Sequence, residues 1–198
     1  MKKKMMLVVL LLSITFVNAA ILPVGGYIGI RGGSSTGGFV DGDSVFKVES
    51  KPHFFGSVNA GLRLTLPFLN TIRAEFEVLG RNNGAEVSIS SATQKIHSLT
   101  TGVNVYYDVV DISLPALGGF KVFFGGGAGY TRFLSIGNLS NDSNLAWNIG
   151  AGGTLTLADV LSVDLGWRYF HQGTLRIVSA ANREINSSDI YAGVRIGF

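Results

Sequence analysis

The chain has 198 residues, a formal charge of +3 and charged side chains at only 15%; Lys2, Lys3 and Lys4 open a leader and supply the whole excess, so the neutral remainder argues against nucleic-acid binding. The absence of cysteine excludes disulfides and thiolate metal sites. A positive mean hydropathy with no apolar run of helical-span length after the leader excludes a helical membrane protein, but not one that crosses with strands.

Residues 1–19 join the basic start to an apolar run over 5–12 and the small-residue end Val17-Asn18-Ala19. This is the pattern of a cleaved secretory signal peptide, cut after Ala19 or one residue later; the apolar run is short for a retained anchor. The remaining 20–198 then form one barrel domain.

The first strand is predicted over 24–32, with Ile28 and Ile30 on one face and Tyr27 and Arg31 on the other. A Gly-, Ser- and Asp-rich loop follows over 33–53. Strand 54–65 puts Val58, Ala60, Leu62 and Leu64 on the apolar parity, opposite Ser57, Asn59 and Arg63, and Pro67 and Asn70 mark a short turn. Over 71–79, Ile72, Ala74, Phe76 and Val78 alternate with Arg73, Glu75 and Glu77. A polar loop is expected over 81–95, then a strand over 98–108 with Leu99, Val103, Val105 and Tyr107 on its apolar side.

The connection 109–119 holds Pro115 and is longer than a tight turn. Strand 120–133 sets Gly125, Gly127 and Gly129 on the polar parity with Lys121 and Thr131, which strips bulk from one face as a narrow interior requires. After an Asn-rich loop, strand 145–157 alternates Trp147, Ile149, Ala151 and Leu155 with Asn148, Gly150, Gly152 and Thr154. A tight turn at 158–160 leads to strand 161–170, where Val163, Leu165, Trp167 and Tyr169 oppose Ser162, Asp164, Gly166 and Arg168. Residues 171–188 are expected to form the last long loop. The final strand, 189–198, sets Ile190, Ala192, Val194, Ile196 and Phe198 against Asp189, Tyr191, Gly193, Arg195 and Gly197.

Eight strands with connections that alternate long and short imply an all-β fold: an eight-stranded antiparallel up-and-down transmembrane β-barrel with four long extracellular loops. A soluble lipocalin-type barrel shares the period but inverts the faces. The polar parity here is small and nearly charge-balanced, which suits a crowded lumen. Arg31, Arg63, Arg73, Arg168 and Arg195 share it with Glu75, Glu77 and Asp164, while Lys121, Asp108 and Asp189 lie nearer the strand ends. Trp147, Trp167, Tyr107, Tyr130 and Tyr169 sit on the other parity, as interfacial girdles do. Antiparallel counting brings Asp164 and Arg195 to similar height, so an internal ion pair is predicted. A lumen of eight strands is filled by side chains, which disfavours a diffusion pore.

The Phe-terminated final strand resembles the C-terminal targeting strand of bacterial outer-membrane barrels. That resemblance implies an assembly signal at Tyr191, Val194, Ile196 and Phe198, read by the barrel-assembly machinery. The segments V-N-V-Y-Y-D at 103–108, G-G-G-A-G-Y-T-R at 125–132 and L-S-V-D-L-G-W-R-Y at 161–169 are similar to the opacity-type outer-membrane β-barrel family. The resemblance implies a Gram-negative outer membrane, lipid and lipopolysaccharide as surroundings, and a host surface or extracellular ligand met through the loops. Members of that family act as adhesins, surface antigens or structural barrels.

No catalytic constellation is visible. His53, His97 and His171 fall near the loop-side strand ends without H-x-x-H or H-x-H spacing, so no metal site is expected. His97-Ser98 is the nearest approach to a base and nucleophile, but adjacent strand residues point to opposite faces. Gly125 to Gly127 lack the strand-to-helix context and Lys of a phosphate loop. The expectation is a non-enzymatic surface protein without cofactor. A lipid A-modifying enzyme and a small-solute channel are the alternatives.

Overall fold

A computed structural model describes residues 24–37, 39–40, 52–66, 70–89, 92–112, 119–134, 143–158, 160–175 and 183–198. The predicted signal peptide lies outside the described residues. Nine strand segments are assigned: β1 (Val24–Thr36), β2 (Phe39–Val40), β3 (His53–Leu66), β4 (Asn70–Ile89), β5 (Ala92–Ile112), β6 (Gly119–Leu134), β7 (Ser143–Ala158), β8 (Leu161–Leu175) and β9 (Arg183–Gly197). Antiparallel neighbours run from β1 through β3 to β9, and β9 pairs back onto β1, closing the sheet. The two-residue β2 continues the β1 edge past Gly37, pairing Phe39 with Ile185 and Val40 with Glu184. The molecule is therefore an eight-stranded closed barrel.

The last residue helps to close the seam. Phe198 N donates to Gly26 O at 2.9 Å, and Gly26 N donates to Phe198 O at 3.0 Å. A side chain at Gly26 would collide with the Phe198 ring, with a Cβ only 2.5 Å from its Cε2. The terminal aromatic thus needs a bare strand beside it.

Burial decides which face is inside. Ile30, Val58, Leu165 and Ile190 are more than half exposed, whereas Arg73, Glu75, Asp164 and Asp189 are buried. A water-soluble barrel would carry the reverse distribution, because a continuous exposed apolar belt costs free energy in water and none in lipid. The lipocalin-type reading fails on this inversion.

Two predicted loops are corrected. Residues 81–95 are mostly strand: β4 and β5 pair as far as Ile89 opposite Ala92, with a register shift between Asn82 and Glu86. Residues 171–188 also lie largely in β8 and β9, which pair out to Leu175 opposite Arg183. Polar residues on both parities hid these strands, because a strand that has left the hydrocarbon has no apolar face to display. The first strand likewise runs on to Thr36. The 109–119 connection is shorter than expected, since β5 continues to Ile112; a bulge around Val109 shifts the register there and breaks the alternation. At the start of β4 Asn70 takes a positive φ of 58°, a conformation Asn tolerates, and its Nδ2 donates to Val109 O at 3.2 Å.

Candidate functional site

Among the described residues the buried charge lies in the lumen. At the periplasmic end Arg195 Nε donates to Asp164 Oδ2 at 2.6 Å and Nη2 to Oδ1 at 2.7 Å, while Thr154 Oγ1 donates to Asp164 Oδ1 at 2.7 Å. Beside it Arg73 Nε donates to Asp108 Oδ1 at 3.0 Å. One level up, Arg31 grips Glu75 with both terminal nitrogens, Nη1 to Oε1 at 2.5 Å and Nη2 to Oε2 at 2.7 Å. Tyr27 OH donates to the same carboxylate at 3.2 Å.

Nearer the extracellular end Arg168 bridges two acids, donating from Nη1 to Glu77 Oε2 at 2.9 Å and from Nε to Asp189 Oδ2 at 3.2 Å. Arg81 clamps Asp189 from the other side, with Nη1 to Oδ1 and Nη2 to Oδ2 both at 2.7 Å. Ser35 Oγ also donates to Asp189 Oδ1, at 2.6 Å. Glu75, Asp164 and Asp189 each meet a guanidinium fork, and Glu77 accepts from Arg168 and from Asn104 Nδ2, the condition under which burying an ion pair is tolerable.

Aromatic rings fill the space between these levels. Arg73 lies 4.7 Å from the Phe123 centroid, Arg81 4.9 Å from Phe170 and Arg195 5.0 Å from Tyr27. Arg31 is shared between Tyr106 and Tyr191. Cation–π attraction adds to charge pairing where water is scarce. The rings are seated on glycines directly across the ladder: Tyr27 opposite Gly61, Tyr106 opposite Gly125, Phe123 opposite Gly152 and Tyr191 opposite Gly166. A Cβ at Gly61, Gly125, Gly152 or Gly166 would lie 2.5–2.6 Å from the facing ring. Only glycine leaves room for the ring there.

A cavity of about 10 Å³ lies among Glu77, Thr100, Asn104, Asn148 and Phe170, space for a single water. At the rim, His97 faces outward while Ser98 is buried in the lumen and donates to Gln172 Oε1 at 3.0 Å. These neighbours stand on opposite sides of the wall. His171 shares a 2.6 Å hydrogen bond between Nδ1 and Asn186 Oδ1 and stacks on Trp147 at 5.5 Å. Among the described residues no group of three or more His, Cys, Asp or Glu side chains could hold a metal ion.

A closed barrel with charge inside and an apolar belt outside is matched by a family model, the outer membrane protein beta-barrel domain, over residues 5–198. The chain belongs to this family. Membership implies the outer membrane of a Gram-negative cell. In fold, this outer-membrane barrel is similar to Neisserial surface protein A, at TM-score 0.63 and 15% identity over 87% of this chain and 97% of that one. It is also similar to OprG from Pseudomonas aeruginosa, at TM-score 0.50 and 14% identity over 88% and 96% of the two chains. No curated protein matches it in sequence.

Of the lumen residues predicted from the barrel's sequence, Arg31, Arg73, Glu75, Glu77, Asp164, Arg168 and Arg195 share the buried network, and Asp164 contacts Arg195. Arg63 does not join them: it is exposed at the periplasmic mouth, its side chain against Gly25. Arg81 was hidden in the expected 81–95 loop, although it continues the parity of Arg73, Glu75 and Glu77. Asp189, expected nearer a strand end, is fully buried beneath the extracellular rim. The lumen aromatics are a further omission, detectable only as rings that face glycines once the register is known. Along the terminal strand Tyr191 points into the lumen, while Val194, Ile196 and Phe198 are exposed on the outer belt.

Proposed function

We infer that this outer-membrane barrel, exported by the signal peptide read at 1–19, is a surface-exposed interaction scaffold of the adhesin or antigen kind. One observation carries the reading. The β4–β5 ladder continues to Ile89 opposite Ala92, whereas β4 last meets β3 at Arg81 and β5 last meets β6 at His97. A two-stranded ribbon therefore rises beyond the wall with both outer edges unpaired among the described residues, and exposed strand edges bind extended partners.

A lipid A-modifying enzyme is less well supported, since His97 and Ser98 lie on opposite faces. The test replaces residues 83–96 by an Asn-Gly turn and compares adhesion of expressing cells to immobilised extracellular-matrix proteins. Full-length chain should raise adhesion and the trimmed chain should not, at equal surface level. Equal adhesion by both would sink the reading.

A narrow water path is the second reading. Both amide atoms of Asn59, Glu77 Oε1 and Asn148 Oδ1 are buried without a protein hydrogen-bond partner, and such groups call for water. Planar-bilayer recordings should nevertheless stay silent for a lumen so filled. Stepwise conductance would favour the channel.

A further inference from the structure

Where the β4–β5 ladder changes register, part of its backbone falls out of pairing. Asn82 stands opposite His97 and Glu86 opposite Lys95, so Asn83, Gly84 and Ala85 of β4 share the single residue Ile96 of β5, and none of the three has a ladder partner among the described residues. By this level β4 has also parted from β3, their last rung joining Arg81 to Phe55. Extra residues in such an irregularity are left unpaired.

The chemistry of that step matters. Asn83–Gly84 is the one Asn-Gly step in the sequence. Glycine has no side chain to shield its amide nitrogen, and its backbone turns more freely than that of any other residue. A peptide nitrogen held in a ladder donates its hydrogen, stays planar and is a poor nucleophile. Released from the ladder, it can reach the preceding side-chain amide carbon and close a five-membered ring.

Other asparagines show the contrast. Asn186 is followed by the small Ser187, yet it pairs with His171 across β8–β9, and its Oδ1 lies 2.6 Å from His171 Nδ1. Ser187 is itself buried and donates to Asp189. Asn59, Asn104 and Asn148 are buried in the wall, and each stands in the ladders on both sides of its strand.

We propose that Asn83 is a site of self-modification, converted through a succinimide with Gly84 into aspartate and isoaspartate. Gly84 N gives its proton to water as it bonds to Asn83 Cγ, and the Cγ–N bond of the side-chain amide breaks, the nitrogen leaving as ammonia. Water then opens the ring. Attack at Cγ restores the main chain and leaves aspartate. Attack at the main-chain carbonyl leaves isoaspartate, whose backbone runs on through Cβ and Cγ. The net change is amide plus water to carboxylic acid plus ammonia, without a redox step. Glu86 and Lys95 are the charged residues of 83–96 and stand opposite one another. Either product therefore turns a charge-balanced ribbon acidic, and isoaspartate also lengthens its backbone where the register is already broken. The site needs no partner for the ribbon and is independent of the adhesion reading.

The test incubates the full chain, refolded in detergent micelles, in mildly alkaline buffer and maps its peptides by mass spectrometry. The peptide holding Asn83 should gain the mass that separates a hydroxyl from an amino group and split into two chromatographic peaks, while the peptide holding Asn186 stays unchanged. Gly84→Ala, whose methyl group crowds the nitrogen, and Asn83→Gln, whose ring would need six members, should both lose that gain over the same interval. The heat-shifted gel band reports that each variant still folds. An Asn83 that stays intact in the folded chain and converts only in urea would overturn the site, because the irregular backbone would then be held. Equal conversion of Asn83 and Asn186 in the folded chain would overturn the protective role of the ladder, and conversion of Gly84→Ala at the wild-type rate would overturn the role of glycine.

Discussion

The lumen and the projecting β4–β5 ribbon are made from the same two strands, yet different forces specify them. Within the wall, β4 sends Arg73, Glu75, Glu77 and Arg81 inward, and each meets a charged partner on another strand, from neighbouring β5 for Arg73 to β8 for Glu77 and β9 for Arg81. Beyond Arg81, among the described residues, the same strand runs on in its backbone ladder to β5 and no longer pairs with β3. The difference teaches that alternation is imposed by the membrane and the lumen. The strand itself does not need it, because main-chain hydrogen bonds pair whatever the side chains are. Substitutions should therefore be costly in the lumen and nearly silent in the ribbon.

The largest effect is expected at Glu75. Glu75→Ala takes the bidentate partner from buried Arg31, leaving it only a 3.8 Å approach to Glu77, and breaking one side of a buried pair costs about 3–5 kcal/mol. Urea unfolding in lipid bilayers should show that loss, while Arg31→Met combined with Glu75→Leu should recover most of it, since a packed apolar pair has no orphaned charge. Failure of the double variant to recover would mean that Tyr27, which also donates to Glu75, needs the carboxylate as much as Arg31 does.

A smaller loss is expected at a glycine seat. Gly166→Val would drive new atoms into the Tyr191 ring, because even a Cβ would lie 2.6 Å from its Cζ. Overpacking of this kind costs about 1–3 kcal/mol. Adding Tyr191→Ala should relieve the clash, and the same urea midpoint reads both variants. If Gly166→Val unfolds at the wild-type midpoint, the ring has moved aside and the seat is not restrictive.

The sequence made the barrel legible wherever lipid lies on one side of the strand and packed polar groups on the other. Ile72 to Val78 alternate with Arg73, Glu75 and Glu77, and no other architecture buries that row of charge so simply. It failed where that contrast ends. Arg81 shares the row's parity but is followed by Asn82, Asn83 and Gly84, whose turn chemistry outweighed a ladder that only tertiary pairing reveals. Tyr106, Phe123 and Tyr191 carry the lumen parity too. Their role depends on Gly125, Gly152 and Gly166 lying opposite, and register is not written in any single strand. Arg63 failed for the converse reason: parity assigns a face but not a depth, and its level opens to water.

The smallest effect should come from removing the ribbon. Its last ordinary rung before the register shift joins Asn82 to His97, so a two-residue Asn-Gly turn can close the hairpin at that rung. Residues 83–96 lie beyond the pairing of β4 with β3 and of β5 with β6, and among the described residues excising them removes no hydrogen bond to either neighbouring strand. Shortening a connection between paired strands lowers the entropy of closure only slightly, by about 0.6 kcal/mol per halving of its length. The trimmed barrel should therefore keep its heat-modifiable gel shift and its urea midpoint. A marked drop in that midpoint would show that the ribbon braces the extracellular rim, where Arg81 holds Asp189. The lumen and the ribbon would then be one cooperative unit, not a platform and its appendage.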